Sequence, residues 1–262
     1  MRKSKTISSE EIDELLDKAA AYLSTFEYPL SEKFANEALT LIPLYFKGKP
    51  QTSAKNYKAS ALCILGSCAI NTARFHEALS FSQSALKLAK QTSNRYFQSY
   101  ALNGMAMAQR NLGENAITIE LASDALSIAE ETGDNIQQGK ALHTLGAAYG
   151  GAMADYPKAL ECFSRGLFLA EEIGDDDARA SHLNSIGIIY YNLADYQLAL
   201  DYSTQALVLA EKIGNKQSIG RFISHLGSVY VMLADYTQAL DFFLRSLAIA
   251  EEIGNKRSIY IA

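Results

Sequence analysis

Residues 187–226, GIIYYNLADYQLALDYSTQALVLAEKIGNKQSIGRFISHL, are followed at once by a near copy, GSVYVMLADYTQALDFFLRSLAIAEEIGNKRSIYIA, over 227–262. Superposing the two fixes a register that extends backwards through the chain. The small residue opening each unit recurs at Gly66, Ala106, Gly146, Gly187 and Gly227, in steps of 40, 40, 41 and 40. A fixed period of about 40 residues is the signature of a stacked array rather than of one globular core.

The columns of this register define two helices per unit. Ahead of each small residue stands an apolar pair, Leu62/Leu65, Leu102/Met105, Leu142/Leu145, Leu183/Ile186 and Ile223/Leu226. A spacing of three places both members on one helical face, that of a first helix, A. A turn signal follows, Leu193-Ala-Asp-Tyr196 and Leu233-Ala-Asp-Tyr236. A second apolar stripe, Ala239, Phe243, Ser246 and Ala250 beside Leu240, Leu244 and Leu247, defines helix B. Glycine in mid-helix costs up to about 1 kcal/mol relative to alanine, so Gly187 and Gly227 imply close approach of A to B. Each pair alone leaves an apolar face bare, and stacking the next pair covers it.

The pattern LG..Y, then Ala-Leu, then a small residue with Leu after it resembles the tetratricopeptide repeat family over nearly all of residues 10–254. The usual repeat is about 34 residues long; the extra residues here, LVLAEKIGN in one unit, lengthen helix B by roughly one and a half turns. The long repeats are similar to those of kinesin light chains, spindle-orientation scaffolds, Rap-type regulators and the sensor regions of bacterial signalling enzymes. The resemblance implies an all-α fold, a right-handed superhelical solenoid of antiparallel helix pairs.

Residues 1–8 form a short basic, Ser-rich lead, expected to be mobile. Residues 9–42 align as a degenerate, polar capping repeat whose first helix is expected to be capped by Ser9. Pro43, Gly48 and Pro50 punctuate a linker expected over 43–55. Five repeats of about 40 residues then fill 56–254. The links between them, Thr132-Gly-Asp, Ile173-Gly-Asp and Ile213-Gly-Asn, pair a left-handed helix end with a capping Asp or Asn. Paired glycines at Gly150 and Gly151 imply an early end or a bulge in one A helix. Residues 255–262 read as the start of a further helix A whose partner would lie beyond Ala262.

Composition limits the function. A net charge of −5 disfavours nucleic acid, which demands a basic face. Cys63, Cys68 and Cys162 are few and set among apolar residues, as buried thiols in a reducing compartment are. No run of 18 apolar residues and no secretory h-region is seen, which implies a cytoplasmic protein without a membrane partner.

No catalytic motif survives inspection. Gly133-DNIQQ-Gly139-Lys140-Ala141 has the wrong spacing for a phosphate loop and lacks the hydroxyl that binds magnesium. His76, His143, His182 and His225 share no metal-ligand spacing, and Asp175-Asp176-Asp177 serves as a helix start. The repeated Glu130-Glu131, Glu171-Glu172 and Glu251-Glu252 read as a solvated edge. The reading is therefore of a non-enzyme with no cofactor and no metal, leaving any catalytic output domain to residues beyond Ala262.

What remains is a protein- or peptide-binding scaffold, the N-terminal regulatory or sensor region of a larger bacterial signalling protein. The alternative is a self-assembly module that dimerises through the exposed C-terminal repeat. In the resembling family, ligands lie on the concave face of the A helices. Carried over by column, that face comprises Tyr100, Lys140 and Arg221; Asn103, His143 and Asn184; Met107 and Ile188; and Arg110 and Tyr191. Asparagines are expected to meet peptide backbone, and the apolar residues side chains. The lysine-and-asparagine clamp for chaperone C-termini is absent from these columns, so no particular ligand is inherited.

Overall fold

The computed structural model describes residues 7–253 apart from Ala152. Twelve helices and no strand occur among the described residues: α1 (Ser9–Ser24), α2 (Tyr28–Tyr45), α3 (Gln51–Asn71), α4 (Phe75–Gln91), α5 (Arg95–Asn111), α6 (Asn115–Thr132), α7 (Asn135–Gly150), α8 (Tyr156–Ile173), α9 (Asp176–Asn192), α10 (Tyr196–Ile213), α11 (Lys216–Met232) and α12 (Tyr236–Glu252). Odd-numbered helices are the A helices and even-numbered ones the B helices of the sequence register. The chain divides into two compact units, Met1–Gln137 and Gln138–Ala262. Each is a stack of antiparallel helix pairs, the expected all-α solenoid class.

Helix ends follow from local chemistry. Gly133, Gly174 and Gly214 close α6, α8 and α10 at φ of 68, 70 and 77°, where glycine carries no Cβ penalty. The next residue caps the following helix: Asp175 Oδ1 accepts from Ala178 N at 3.0 Å and Asn215 Oδ1 from Ser218 N at 3.1 Å. The A-to-B turns are solved differently. Ala154, Ala194 and Ala234 take φ of 49, 60 and 61°, and Asp155, Asp195 and Asp235 cap the B helices behind them.

In the first unit, Ile12, Leu15, Leu16, Ile42, Ile64 and Leu65 join α1, α2 and α3 in one core, while Glu10, Asp13, Glu14 and Asp17 solvate the outer side of α1. The cap of α1 is Ser8, not Ser9; its Oγ accepts from Glu11 N at 3.2 Å. The connection expected over 43–55 is shorter, because α2 continues through Pro43 to Tyr45 and α3 opens after Pro50. A proline late in a helix forfeits a single backbone bond, and Phe46 N still reaches Ile42 O at 3.0 Å. Two sequence-based expectations, a mobile lead in its first six residues and the further helix over 255–262, lie outside the described residues.

In the second unit, Phe163, Ile186 and Ile189 pack α8 on α9. Leu183, Leu207, Phe222, Ile223 and Leu226 carry the core from α9 through α10 to α11. The mid-helix glycines are explained by contact: a Cβ on Gly187 would lie 2.4 Å from Ser203 Oγ, and one on Gly227 2.7 Å from the Phe243 ring. Helix α7 runs into the glycine pair and stops at Gly150, where a Cβ would meet Ile189 at 2.4 Å. Leu240 and Leu244, expected in the core, are 60% and 57% exposed. Their column is covered elsewhere by the next A helix, as Leu200 is by the Phe222 cluster, and no helix covers α12 among the described residues.

An ion pair closes three of the helix pairs, α5 with α6, α9 with α10 and α11 with α12, at the edge where the A helix begins and the B helix ends. Lys216 pairs with Glu252 across α11 and α12. Across α9 and α10 the polarity is reversed: Lys212 Nζ lies 2.9 Å from Asp176 Oδ2, and with Arg179 it holds the Asp176 carboxyl below its usual range.

Candidate functional site

Within each unit the A helices form the tighter layer. Helix α9 touches α11 and α3 touches α5, whereas α10 and α12, or α4 and α6, make no contact among the described residues. Each stack therefore curves toward its A helices, and the stripe they leave uncovered is the inner face.

In the first unit the predicted residues all stand on α5. Tyr100 is half-buried; its hydroxyl lies 3.0 Å from Ser67 Oγ on α3, and burial drives the phenol well above its ordinary pKa. Asn103 is 4% exposed rather than open to solvent, with Nδ2 lying 3.9 Å from Met107 Sδ. Met107 and Arg110 are half-buried. The cause is the close spacing of A helices, which turns this column into the floor of the groove.

In the second unit the stripe runs over three A helices. Helix α7 gives Lys140, exposed, and His143, half-buried. Helix α9 gives Asn184, Ile188 and Tyr191, and α11 gives Arg221, exposed and lying over the Phe222 ring at 5.2 Å. Ile188 is 37% exposed, but Asn184 is 4% exposed and its Oδ1 is enclosed without a hydrogen-bond partner. Tyr191 is wedged between Tyr196 and His225, with ring centroids 5.9 and 5.7 Å away. A Tyr191→Ala change therefore loosens packing around α9.

Ser185, Ser203, His182 and His225 take part as well and were missed in the sequence. His143 Nε2 lies 3.2 Å from Ser185 Oγ, linking α7 to α9. His225 Nδ1 lies 2.9 Å from Ser203 Oγ, linking α11 to α10. His182 is 2% exposed, not an ordinary surface position, and stacks edge-on against His143 at 5.4 Å. Neither His182 Nδ1 nor His225 Nε2 has a partner, and desolvation lowers both rings to a pKa of about 4. The repeat register held a signal for His182: its column contains Ala141 and Phe222, and the facing column contains Ala206 but Gly166. A large ring opposite a glycine is a compensated pair. Neither Cys63 nor Cys162 is a poised nucleophile, since burial pushes their thiols up to about 12 and about 11. Among the described residues no three His, Cys, Asp or Glu side chains gather as a metal site.

A family model described as tetratricopeptide repeat matches residues 140–212 and 176–252. The second unit is built of tetratricopeptide repeats. Solved tetratricopeptide-type structures extend the same fold over the rest of the chain. A Rap protein complexed with Competence and Sporulation Factor aligns with 96% of this chain and 80% of its own, at 16% identity and a TM-score of 0.74. The protein NprR in complex with its cognate peptide NprX aligns over 92% and 67%, at 18% identity and 0.70. BtubC of P. vanneervenii aligns over 86% and 91%, at 16% identity and 0.66. At such identity the likeness concerns the fold. Comparison with curated proteins gives no match. No described helix is long and apolar enough to cross a membrane.

Proposed function

We propose that this protein is a non-catalytic scaffold that holds a protein or peptide segment on the inner face of its A helices. In this reading it serves as the regulatory or sensor region of a larger bacterial signalling protein in the cytoplasm. The observation that carries the reading is Asn184. A buried carbonyl oxygen without a donor costs about 1–3 kcal/mol, and it sits in the middle of the stripe, beside exposed Ile188. Turned outward toward Ile188, the Asn184 carboxamide meets an arriving backbone N–H. Two structures of the same fold hold partners by their own descriptions, the Rap protein its Competence and Sporulation Factor and NprR its cognate peptide NprX, which supports a peptide as the occupant.

The test is to pan a random peptide display library against the full chain and to measure the enriched peptides by calorimetry. Asn184→Leu should keep the helical circular dichroism and melt no lower than wild type, because it removes an unpartnered polar group. It should weaken the enriched peptides by about tenfold or more, the loss of one buried hydrogen bond and its neighbours. Equal affinity in the variant removes the site from this face.

A second reading, dimerisation through the C-terminal repeat, is favoured by the exposure of Leu240, Leu244 and Tyr236 on α12. Sedimentation equilibrium of wild type and of Leu240→Glu/Leu244→Glu decides it: a dimer that the variant turns into a monomer supports it, and a wild-type monomer at millimolar concentration ends it.

A further inference from the structure

Charge in the second unit is sorted by layer. Helix α7 has a single charged residue, Lys140; α9 has none after Arg179; and α11 has Arg221 alone after Lys216. The body of the inner face thus presents two exposed cations and no carboxylate. The outer layer is acidic on balance: Glu161, Asp201 and Asp241 repeat in one exposed column, and Glu171, Glu172, Glu211, Glu251 and Glu252 crowd the ends of the B helices, against the four cations Lys158, Arg165, Lys212 and Arg245. In a chain of net charge −5, a cationic inner layer is contrary to composition and marks what that layer meets.

The cations are also placed at one side of the groove. Lys140 and Arg221 are each the sixth residue of their helices, in the halves nearer the N-termini. The exposed apolar residues Ile188, Val231 and Met232 lie in the other half of α9 and α11, some 10–15 Å away at 1.5 Å per residue. An extended segment crossing the A helices along the stack has side chains pointing alternately to these two sides.

Resting on the peptide reading above, we infer that the inner face of the second unit recognises an extended peptide in which carboxylate and apolar side chains alternate. The carboxylates face Lys140 and Arg221, the apolar side chains face Ile188 and the α11 end, and the backbone meets Asn184. Nucleic acid is disfavoured as the anion, since two cations neutralise little of a phosphate backbone and the outer layer repels it.

The test uses fluorescein-labelled nonapeptides of alternating Glu-Leu, Ser-Leu and Lys-Leu, together with a thymidine dodecanucleotide, in anisotropy titrations against the full chain. The Glu-Leu peptide should bind about tenfold more tightly than Ser-Leu and lose several-fold in affinity between about 50 and about 300 mM salt. Lys140→Glu/Arg221→Glu should reverse the order in favour of Lys-Leu, and Lys140→Gln/Arg221→Gln should abolish the preference, with helical circular dichroism intact in both. Equal binding of Glu-Leu and Ser-Leu overturns the charge assignment and leaves peptide binding standing. A preference for Lys-Leu or for the oligonucleotide in wild type also overturns it. Absence of binding by every peptide overturns both this inference and the function it rests on.

Discussion

His182 fills the joint between α8 and α9 because residue 166 is glycine: a Cβ there would lie 2.2 Å from the imidazole Cε1. Gly166→Ala should therefore cost on the order of 1–3 kcal/mol by overpacking. His182→Ala added to it should cost less than the sum of the two changes, and a double-mutant cycle by urea unfolding measures the difference. The same ring sets a pH dependence. His182 and His225 have folded-state pKa values of about 4 against 6.5 unperturbed, so between these values the unfolded chain binds more protons than the folded one. Stability is complete above pH 6.5 and falls as pH drops toward 4, by on the order of 3 kcal/mol per histidine. Urea melts from pH 7 to pH 4 should show that loss, and His182→Phe or His225→Phe should each flatten part of it. The alanines at positive φ give the opposite opportunity: Ala194→Gly should raise stability by about 0.5–1 kcal/mol, seen as a higher urea midpoint.

At the level of helices, the two leucines that share a column are not equivalent. Leu200 packs on the Phe222 cluster, so Leu200→Ala should cost about 2–5 kcal/mol. Leu240 is 60% exposed, and Leu240→Ala should cost less than about 1 kcal/mol; equal losses in denaturant melts would mean that another surface covers α12. The helix register was legible because repetition averages out local ambiguity: five copies of one apolar pattern outweigh any single propensity. Links with glycine were legible for the same reason. The burial of Asn103 and Asn184 was not, because a column places a residue on a face but the spacing between A helices decides whether that face is open. The A-to-B turns were legible as turns but not in their geometry, since alanine gives no sign that its neighbours hold it in a left-handed conformation. Pro43 misled because a proline near a helix end breaks little.

Across the molecule, the reversed ion pair has a consequence for assembly from nearly identical parts. Helices α10 and α12 are copies, so while the chain is folding α9 can try either one, and so can α11; in concentrated solution the choice extends to other chains. In the correct pairing Asp176 meets Lys212 and Lys216 meets Glu252. Exchange the partners and Asp176 faces Glu252 while Lys216 faces Lys212, so both wrong matches bring like charges together. Individually such surface pairs add little to stability, yet they discriminate, because an error forfeits two attractions and gains two repulsions. Asp176→Lys with Lys212→Asp would give both pairs the same polarity. Refolding that variant at high protein concentration should leave more intertwined dimer on size exclusion than wild type does, with little change in the melting of the monomer. The charges then act as a parity check on repeat order, written into a sequence whose copies would otherwise be interchangeable.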